Sequence, residues 1–194
     1  MALYTDGYKQ NAMVLLASGD SESATTHIDI AFGAFKTAGY YLYKIYLSDM
    51  YLTDGYELRL LPMAGASSFV GGMYGGYFSH GESQGAITYN DNNFNNYGYV
   101  PISAGKAAAS SSGTYRGHFE IDYSVRKTTN GMPNVHWHGT MRIANVNASH
   151  IAGACTGTQG SDYGVRITSN ESSNGEGGSR ILGHEYAVYG IRSS

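Results

Sequence analysis

The residues best suited to chemistry lie in "NVHWHGTMRI", where two histidines flank the only tryptophan of the chain. His136 and His138 have the His-x-His spacing that metal enzymes use, and zinc binds imidazole nitrogen at about 2.0–2.1 Å. The same spacing is typical of a half-buried strand, because side chains two residues apart lie on one face about 7 Å apart. The stretch therefore allows either a metal site or an ordinary strand.

The pattern around the two histidines favours the strand. Apolar residues alternate with polar ones, namely Val135, Trp137, Met141 and Ile143 against His136, His138, Thr140 and Arg142. If a hairpin turn lies at Asn130-Gly131, a register sum of 258 or 260 places His138 opposite Glu120 or Asp122, and His118 shares that face. We expect Trp137 in the core, outward histidines paired with carboxylates, and no metal. His118, His136 and His138 are weak ligand candidates, and a metal-dependent hydrolase at this face is the alternative.

Two further motifs can be compared with enzyme motifs. "SGDS", residues 18–21, is similar to the nucleophile block of GDSL-type esterases, but the late Asp-x-x-His motif of those enzymes is missing from the sequence. We interpret it as a turn before the first strand. "VGGMYGGY" lacks the G-x-x-x-x-G-K-[ST] pattern of a phosphate loop, so we interpret it as an edge strand or loop. We therefore expect no catalytic residues and no cofactor, and hence no enzyme.

Tyrosine is the strongest binding signal, with 18 tyrosines against six phenylalanines. A tyrosine ring is a rigid apolar plate with a hydrogen-bonding hydroxyl, which suits protein interfaces and sugar stacking. The candidates for ligand, glycan or subunit contact lie in or beside glycine- and asparagine-rich segments: Tyr74, Tyr77, Tyr89, Asn93, Asn96, Tyr97 and Tyr99. The alternative for most of them is half-buried packing in a sheet.

Composition predicts the elements that must position these side chains. Glycine accounts for 27 of 194 residues and charged residues for only 14%, which is typical of short strands and turns rather than of long helices. Apolar and polar residues alternate in runs such as "HIDIAF" and "GHFEIDYS". "TDG" at residues 53–55 predicts a hairpin, and residues 90–99 and 103–114 are predicted loops, the second with a short helical turn as the alternative.

These elements predict one all-β domain, an antiparallel β-sandwich of jelly-roll type over residues 26–194. Residues 1–25 are predicted to form an N-terminal arm or a first edge strand. The net charge of −3 and the lack of a Lys/Arg cluster argue against a nucleic-acid partner. We also expect no membrane insertion and no signal peptide, and Cys155 is the only cysteine, so no intrachain disulfide can form.

The order of the alternating runs resembles a β-sandwich module found near the C-termini of bacteriophage tail-fibre and related virion surface proteins. The matching pieces, between Thr26 and Ile191, are "YKIYLSDMYLTDGYELRL", "GTYRGHFEIDYS", "PNVHWHGTMRI" and "YGVRITSN" followed by "GHEYAVYGI". In that family a strand ends near a Thr-Asp-Gly turn, and an "LYGI"-like strand closes the sheet where this chain has "VYGI".

The resemblance implies a non-enzymatic structural protein of the phage particle, assembled in the host cytoplasm and displayed on the virion. It implies a homo-oligomer, with a trimer as the first expectation, and contact with other virion proteins of the capsid or tail. A tail-fibre or adhesin role implies binding to host surface glycan through the Tyr- and Asn-rich segments. The alternative is a capsid decoration protein of cement or head-fibre type, attached by its base and N-terminal arm.

Two further expectations follow, one from the resemblance and one from the histidine pairs. Only about 25 residues precede the first predicted strand, where tail fibres usually place a long stalk, so a short arm that completes a neighbouring sheet fits the sequence. If the histidine pairs lie at a subunit contact, acid is expected to charge them and weaken that contact.

Overall fold

The structure is a computed structural model that describes residues 13–52, 57–83, 86–103, 116–125, 132–141, 148–157, 163–169 and 181–192. Of these, residues 80–83, 86–92, 148–149 and 192 are described by their backbone alone. The strands are β1 (Val14–Ser21), β2 (His27–Ala31), β3 (Tyr40–Leu52), β4 (Arg59–Gly65), β5 (Ser68–Phe69), β6 (Met73–Ser83), β7 (Ala86–Tyr97), β8 (Val100–Pro101), β9 (Gly117–Val125), β10 (Pro133–Thr140), β11 (Ala148–Gly157), β12 (Gly164–Thr168) and β13 (Ile181–Arg192), and one short helix, α1, spans Gly33–Thr37.

The strands form two antiparallel sheets that pack face to face. One sheet has the order β1-β13-β3-β9-β10-β11-β6-β7, and the other has the order β2-β12-β4-β5, with β8 also paired to β4. Within them, β1-β13-β3-β9 opposite β2-β12-β4-β8 is the strand order of an eight-stranded jelly roll. The predicted all-β antiparallel sandwich of jelly-roll type is therefore confirmed.

Four strands extend the jelly roll on one side. β10 and β11 lie between β9 and β12 in the chain, and β6 and β7 lie between β4 and β8. All four add to the edge of the larger sheet at β9, so this sheet reaches eight strands while the smaller sheet stays at the width of the jelly roll. We call β10, β11, β6 and β7 the extension.

The core forms because the apolar side of each alternating run turns inward. Ile28 and Ile30 from the smaller sheet meet Tyr43, Ile45 and Ile121 from the larger one, and all belong to one buried cluster. The rings of Phe32 and Tyr43 stack with centroids 4.0 Å apart. Burial of such side chains stabilises the fold by about 1.5–3 kcal/mol each.

The hairpin around the His-x-His stretch has the predicted geometry. β9 pairs with β10 so that His138 lies opposite Glu120 and His136 opposite Asp122, which is a register sum of 258. Trp137 is 3% exposed, as predicted for the core side, and both histidines are exposed. Gly153 lies opposite Trp137 in β11, and a Cβ at that position would be 2.2 Å from the indole ring, so only glycine leaves room for it.

Other sequence predictions are wrong. "TDG" does not join a hairpin, because β3 and β4 belong to different sheets. "SGDS" is part of β1, paired with β13, rather than a turn. Residues 90–99 are largely strand β7. Of the glycine-rich stretch, residues 70–72 lie outside the strands, as the loop alternative expected, and residues 73–77 begin β6, an internal strand rather than an edge.

The remaining predicted turns and loops fall outside the described residues. These are most of residues 103–114 and the Asn130-Gly131 turn. Within the part of the chain that the structure describes, no helix has the length and apolar character needed to span a bilayer.

Candidate functional site

Three of the predicted tyrosines come together beside two charged residues that the sequence did not single out. Tyr77, Tyr97 and Tyr99 are mutually close enough for electrostatic coupling, and Glu57 acts on both Tyr77 and Tyr99. Arg59 lies against Tyr99. We call Glu57, Arg59, Tyr77, Tyr97 and Tyr99 the tyrosine–arginine cluster.

The end of β7 positions the exposed part of the cluster. Asn96 has φ 58°, a left-handed conformation that asparagine tolerates better than most residues. It precedes Tyr97, which is 40% exposed. The Tyr97 ring lies 5.1 Å from the Tyr99 ring between centroids, and β8 then pairs Pro101 with Arg59 on β4. The two tyrosines therefore form a fixed pair of rings beside the arginine.

A row of aromatic rings connects this pair to the core. Phe94 lies 5.5 Å from Tyr97 and 6.4 Å from Trp137, measured between ring centroids. Both Phe94 and Trp137 are buried. Because buried rings have few alternative positions in a close-packed interior, Tyr97 is held in place by the same packing that stabilises the sandwich.

Arg59 is the main polar group of the cluster. Only 8% of the residue is exposed, and its guanidinium carbon lies 3.8 Å from the centre of the Tyr99 ring. Its Nε donates a hydrogen bond of 2.8 Å to the Glu57 carboxylate. Among the described residues, its buried Nη1 has no hydrogen-bond partner. Because Nη1 is buried, it is not accessible to a ligand, and Tyr97 is the exposed part of the cluster.

The cluster combines neutral hydroxyl groups with a compensated ion pair. Burial raises the pKa of Tyr77 and of Tyr99, and the charge of Arg59 opposes this shift at Tyr99. Both phenols therefore stay protonated at neutral pH and can donate and accept hydrogen bonds. Glu57 and Arg59 cancel each other's charge, so the site suits a polar, uncharged ligand with hydroxyl groups.

The structure does not bring the other binding candidates into this cluster. Tyr74 lies on the face of β6 opposite to Tyr77, because three residues separate them along a strand. Asn93 lies opposite Gly76 and is exposed on the same side as Tyr74. The side chain of Tyr89 is outside the described part of the chain. Asn96 is next to the cluster and shapes its backbone.

The histidine face is an ion-pair surface. The Nε2 atom of His138 lies 4.0 Å from a Glu120 oxygen. Lys44 from β3 contacts Glu120 and lies 3.0 Å from a carboxylate oxygen of Asp122. Among the described residues, no three His, Cys, Asp or Glu side chains are arranged to hold a metal ion. His118, His136 and His138 are exposed on this face.

A second hollow surrounds the "SGDS" stretch at the edge of the larger sheet. It measures about 460 Å³ and includes Ser21, Glu22, Asp49 and His184. The Ser21 hydroxyl accepts a hydrogen bond of 3.0 Å from the Ser23 N–H. His184 lies opposite Ser21, but its buried Nδ1 has no hydrogen-bond partner among the described residues. The geometry therefore lacks the nucleophile–base bond that covalent catalysis uses.

The only cysteine is also poorly suited to nucleophilic chemistry. Cys155 is buried on the core side of β11. Burial raises the pKa of its thiol to about 12, so at neutral pH it is almost entirely the unreactive thiol.

Comparison of this chain with protein-family models, with curated protein sequences and with solved structures gives no match.

Proposed function

We propose that this chain is a non-enzymatic structural protein of a bacteriophage particle, of tail-fibre or adhesin type, and that it binds host surface glycan through the tyrosine–arginine cluster. The observation that carries the glycan part is the pair of rings of Tyr97 and Tyr99, of which Tyr97 is 40% exposed, held beside the guanidinium of Arg59. Exposed aromatic rings can stack on the apolar faces of sugars, and tyrosine hydroxyls can hydrogen-bond to sugar hydroxyls.

The virion part rests on the sequence resemblance and on the type of fold. Jelly rolls occur in viral capsid proteins and in lectins, but a fold of this kind supports many functions, so this support is an analogy. The proposal includes a homo-oligomer in contact with other virion proteins.

The glycan proposal is tested with a panel of purified bacterial surface polysaccharides and the full chain. We expect Tyr97→Ala to weaken binding at least about tenfold, because one aromatic contact contributes about 1–1.5 kcal/mol beyond its hydrophobic area. Tyr163→Ala is the matched control, since Tyr163 is 37% exposed and lies outside the cluster. Binding to no polysaccharide, or equal loss in both variants, would contradict the proposal.

A capsid decoration protein is the second candidate, favoured by the start of β1. Met13, Val14 and Leu15 are 46%, 41% and 52% exposed, and β1 is at the edge of the larger sheet. An apolar edge strand can pair with a strand of a neighbouring protein. Quantitative mass spectrometry of the particle separates the two roles, because capsid decoration requires hundreds of copies and a tail component requires tens or fewer.

A further inference from the structure

The outward face of the extension has an unusual composition. On β10, β11 and β6 the outward residues whose side chains the structure describes form one patch, which we call the uncharged strip: Asn134, His136, His138, Thr140, His150, Ala152, Ala154, Thr156, Tyr74, Gly76 and Phe78. None of these residues is Asp, Glu, Lys or Arg. Tyr74 and Phe78 are 39% and 43% exposed, and most of the other residues are exposed as well.

An outward sheet face is normally polar and carries charge, so the strip differs from an ordinary solvated surface. Protein interfaces are depleted of charge at their centre, are enriched in aromatic residues, and have a polar rim. On the same sheet, the neighbouring strands β9 and β3 carry Glu120, Asp122 and Lys44. The strip and these charged strands therefore have the arrangement of an interface centre and its rim.

This face carries hollows beside its exposed aromatic side chains. Phe78 and His138 border a hollow of about 290 Å³ that also includes Ala152. On the other side of His138 lies a second hollow of about 390 Å³, bordered by Tyr46 and Glu120. Because exposed aromatic side chains and hollows occur on one face, two copies related by a two-fold axis can each insert a ring into the other.

The face is also large enough for a stable contact. The strip covers three strands about 4.8 Å apart and seven residues along each, which is about 14 by 24 Å or about 340 Å². The whole outward face of the larger sheet, with eight strands, covers about 900 Å², close to the roughly 800 Å² that each partner contributes to a standard protein interface. A contact of standard size therefore includes the charged strands beside the strip as well.

We propose that a second copy of this chain covers the uncharged strip, so that two larger sheets pack face to face about a two-fold axis. This goes beyond the proposed glycan role, and the two are independent because Tyr77 and the strip lie on opposite faces of β6. The two-fold contact produces a dimer, whereas the tail-fibre resemblance implies a trimer. The measured mass distinguishes them.

The test is sedimentation equilibrium of the full chain between about 1 and 100 µM. We expect twice the chain mass of 20.8 kDa. Ala154→Arg is expected to weaken association at least about 100-fold, because it places a bulky charge at the centre of the contact in both copies. Ala64→Arg is the matched control, since Ala64 is exposed on β4 in the smaller sheet. This control is expected to remain a dimer.

Circular dichroism establishes that each variant is folded, and Phe78→Ser provides a second disruption of the strip if Ala154→Arg does not fold. A monomeric wild-type chain at 100 µM would overturn the proposal. So would a trimer, or an assembly that both strip variants leave unchanged. Polysaccharide binding by a monomeric Ala154→Arg variant would show that the glycan role stands independently of this contact.

Discussion

Two buried arginines of the smaller sheet differ in how completely their side chains are paired. Arg59 on β4 and Arg166 on β12 are each 8% exposed. Each guanidinium also lies over an aromatic ring, Arg59 at 3.8 Å from the centre of Tyr99 and Arg166 at 4.9 Å from the centre of Phe69. Their surroundings are therefore alike in burial and in ring contact.

The two arginines differ in how they bind their carboxylate partners. Arg166 makes a two-point contact with Asp29, with Nε and Nη2 at 2.6 and 2.8 Å from the two carboxylate oxygens. Arg59 binds Glu57 through Nε, and its Nη1 has no hydrogen-bond partner among the described residues. A buried donor without a partner costs about 1–3 kcal/mol. Arg166 therefore serves the fold by joining β2 and β12, whereas Arg59 keeps one buried donor unsatisfied and holds the Tyr99 ring beside the exposed Tyr97.

The largest expected effect is on the paired arginine. Asp29→Ala leaves the Arg166 guanidinium buried without its partner, so we expect a loss of about 3 kcal/mol in the free energy of unfolding. Asp122→Ala is the matched control, because Asp122 pairs with Lys44 at the surface and its removal should cost less than about 1 kcal/mol. Guanidinium chloride unfolding measures both values. If both variants lost a similarly small free energy of unfolding, the Asp29–Arg166 pair would have no special role in stabilising the fold.

The next effect is on ligand binding. Arg59→Met should weaken polysaccharide binding by about 10- to 30-fold, because it removes the guanidinium that holds the Tyr99 ring, and a desolvated cation–π contact is worth about 2 kcal/mol. Arg166→Met should reduce stability and leave the affinity of the folded protein unchanged. Affinity is measured by isothermal titration calorimetry below the melting temperature of each variant. Equal effects on affinity would show that the two arginines do not differ in function.

The smallest effect concerns His184, a half-buried residue whose buried Nδ1 has no hydrogen-bond partner among the described residues. Burial lowers its pKa from 6.5, and the charge of Asp20 opposes this shift. The unfolded chain then binds the proton more tightly, so stability that is complete above pH 6.5 falls as the pH decreases below that value. His184→Gln should reduce this fall by less than about 0.5 kcal/mol, because the ring is partly solvated. Urea unfolding at pH 7.5 and 5.5 tests it, and identical pH profiles would contradict it.

Much of the sandwich could be predicted because strand alternation is local. The β9–β10 hairpin, its register and the inward position of Trp137 all follow from residues close together in the chain. Residues 90–99 were misjudged because asparagine favours loops, yet their backbone pairs with β6. The "TDG" stretch was misjudged because a local turn signal does not reveal that β3 and β4 join different sheets.

The candidate site could also be predicted only in part from the sequence. Tyr77, Tyr97 and Tyr99 were found from their residue type, but Glu57 and Arg59 were not. A signal was available, since both charges flank Leu58 in an alternating run whose leucines face the core. Such charges must either reach solvent or find a partner, and the sequence does not distinguish these outcomes.

By itself the sequence determined which side chains point inward on each strand, because that follows from the two-residue period of a single chain segment. Only the tertiary structure decided that four extra strands widen one sheet, that Tyr99 lies on Arg59, and that the histidines share a face with Phe78. These contacts depend on the pairing of strands far apart in the chain, which packing of the whole domain selects.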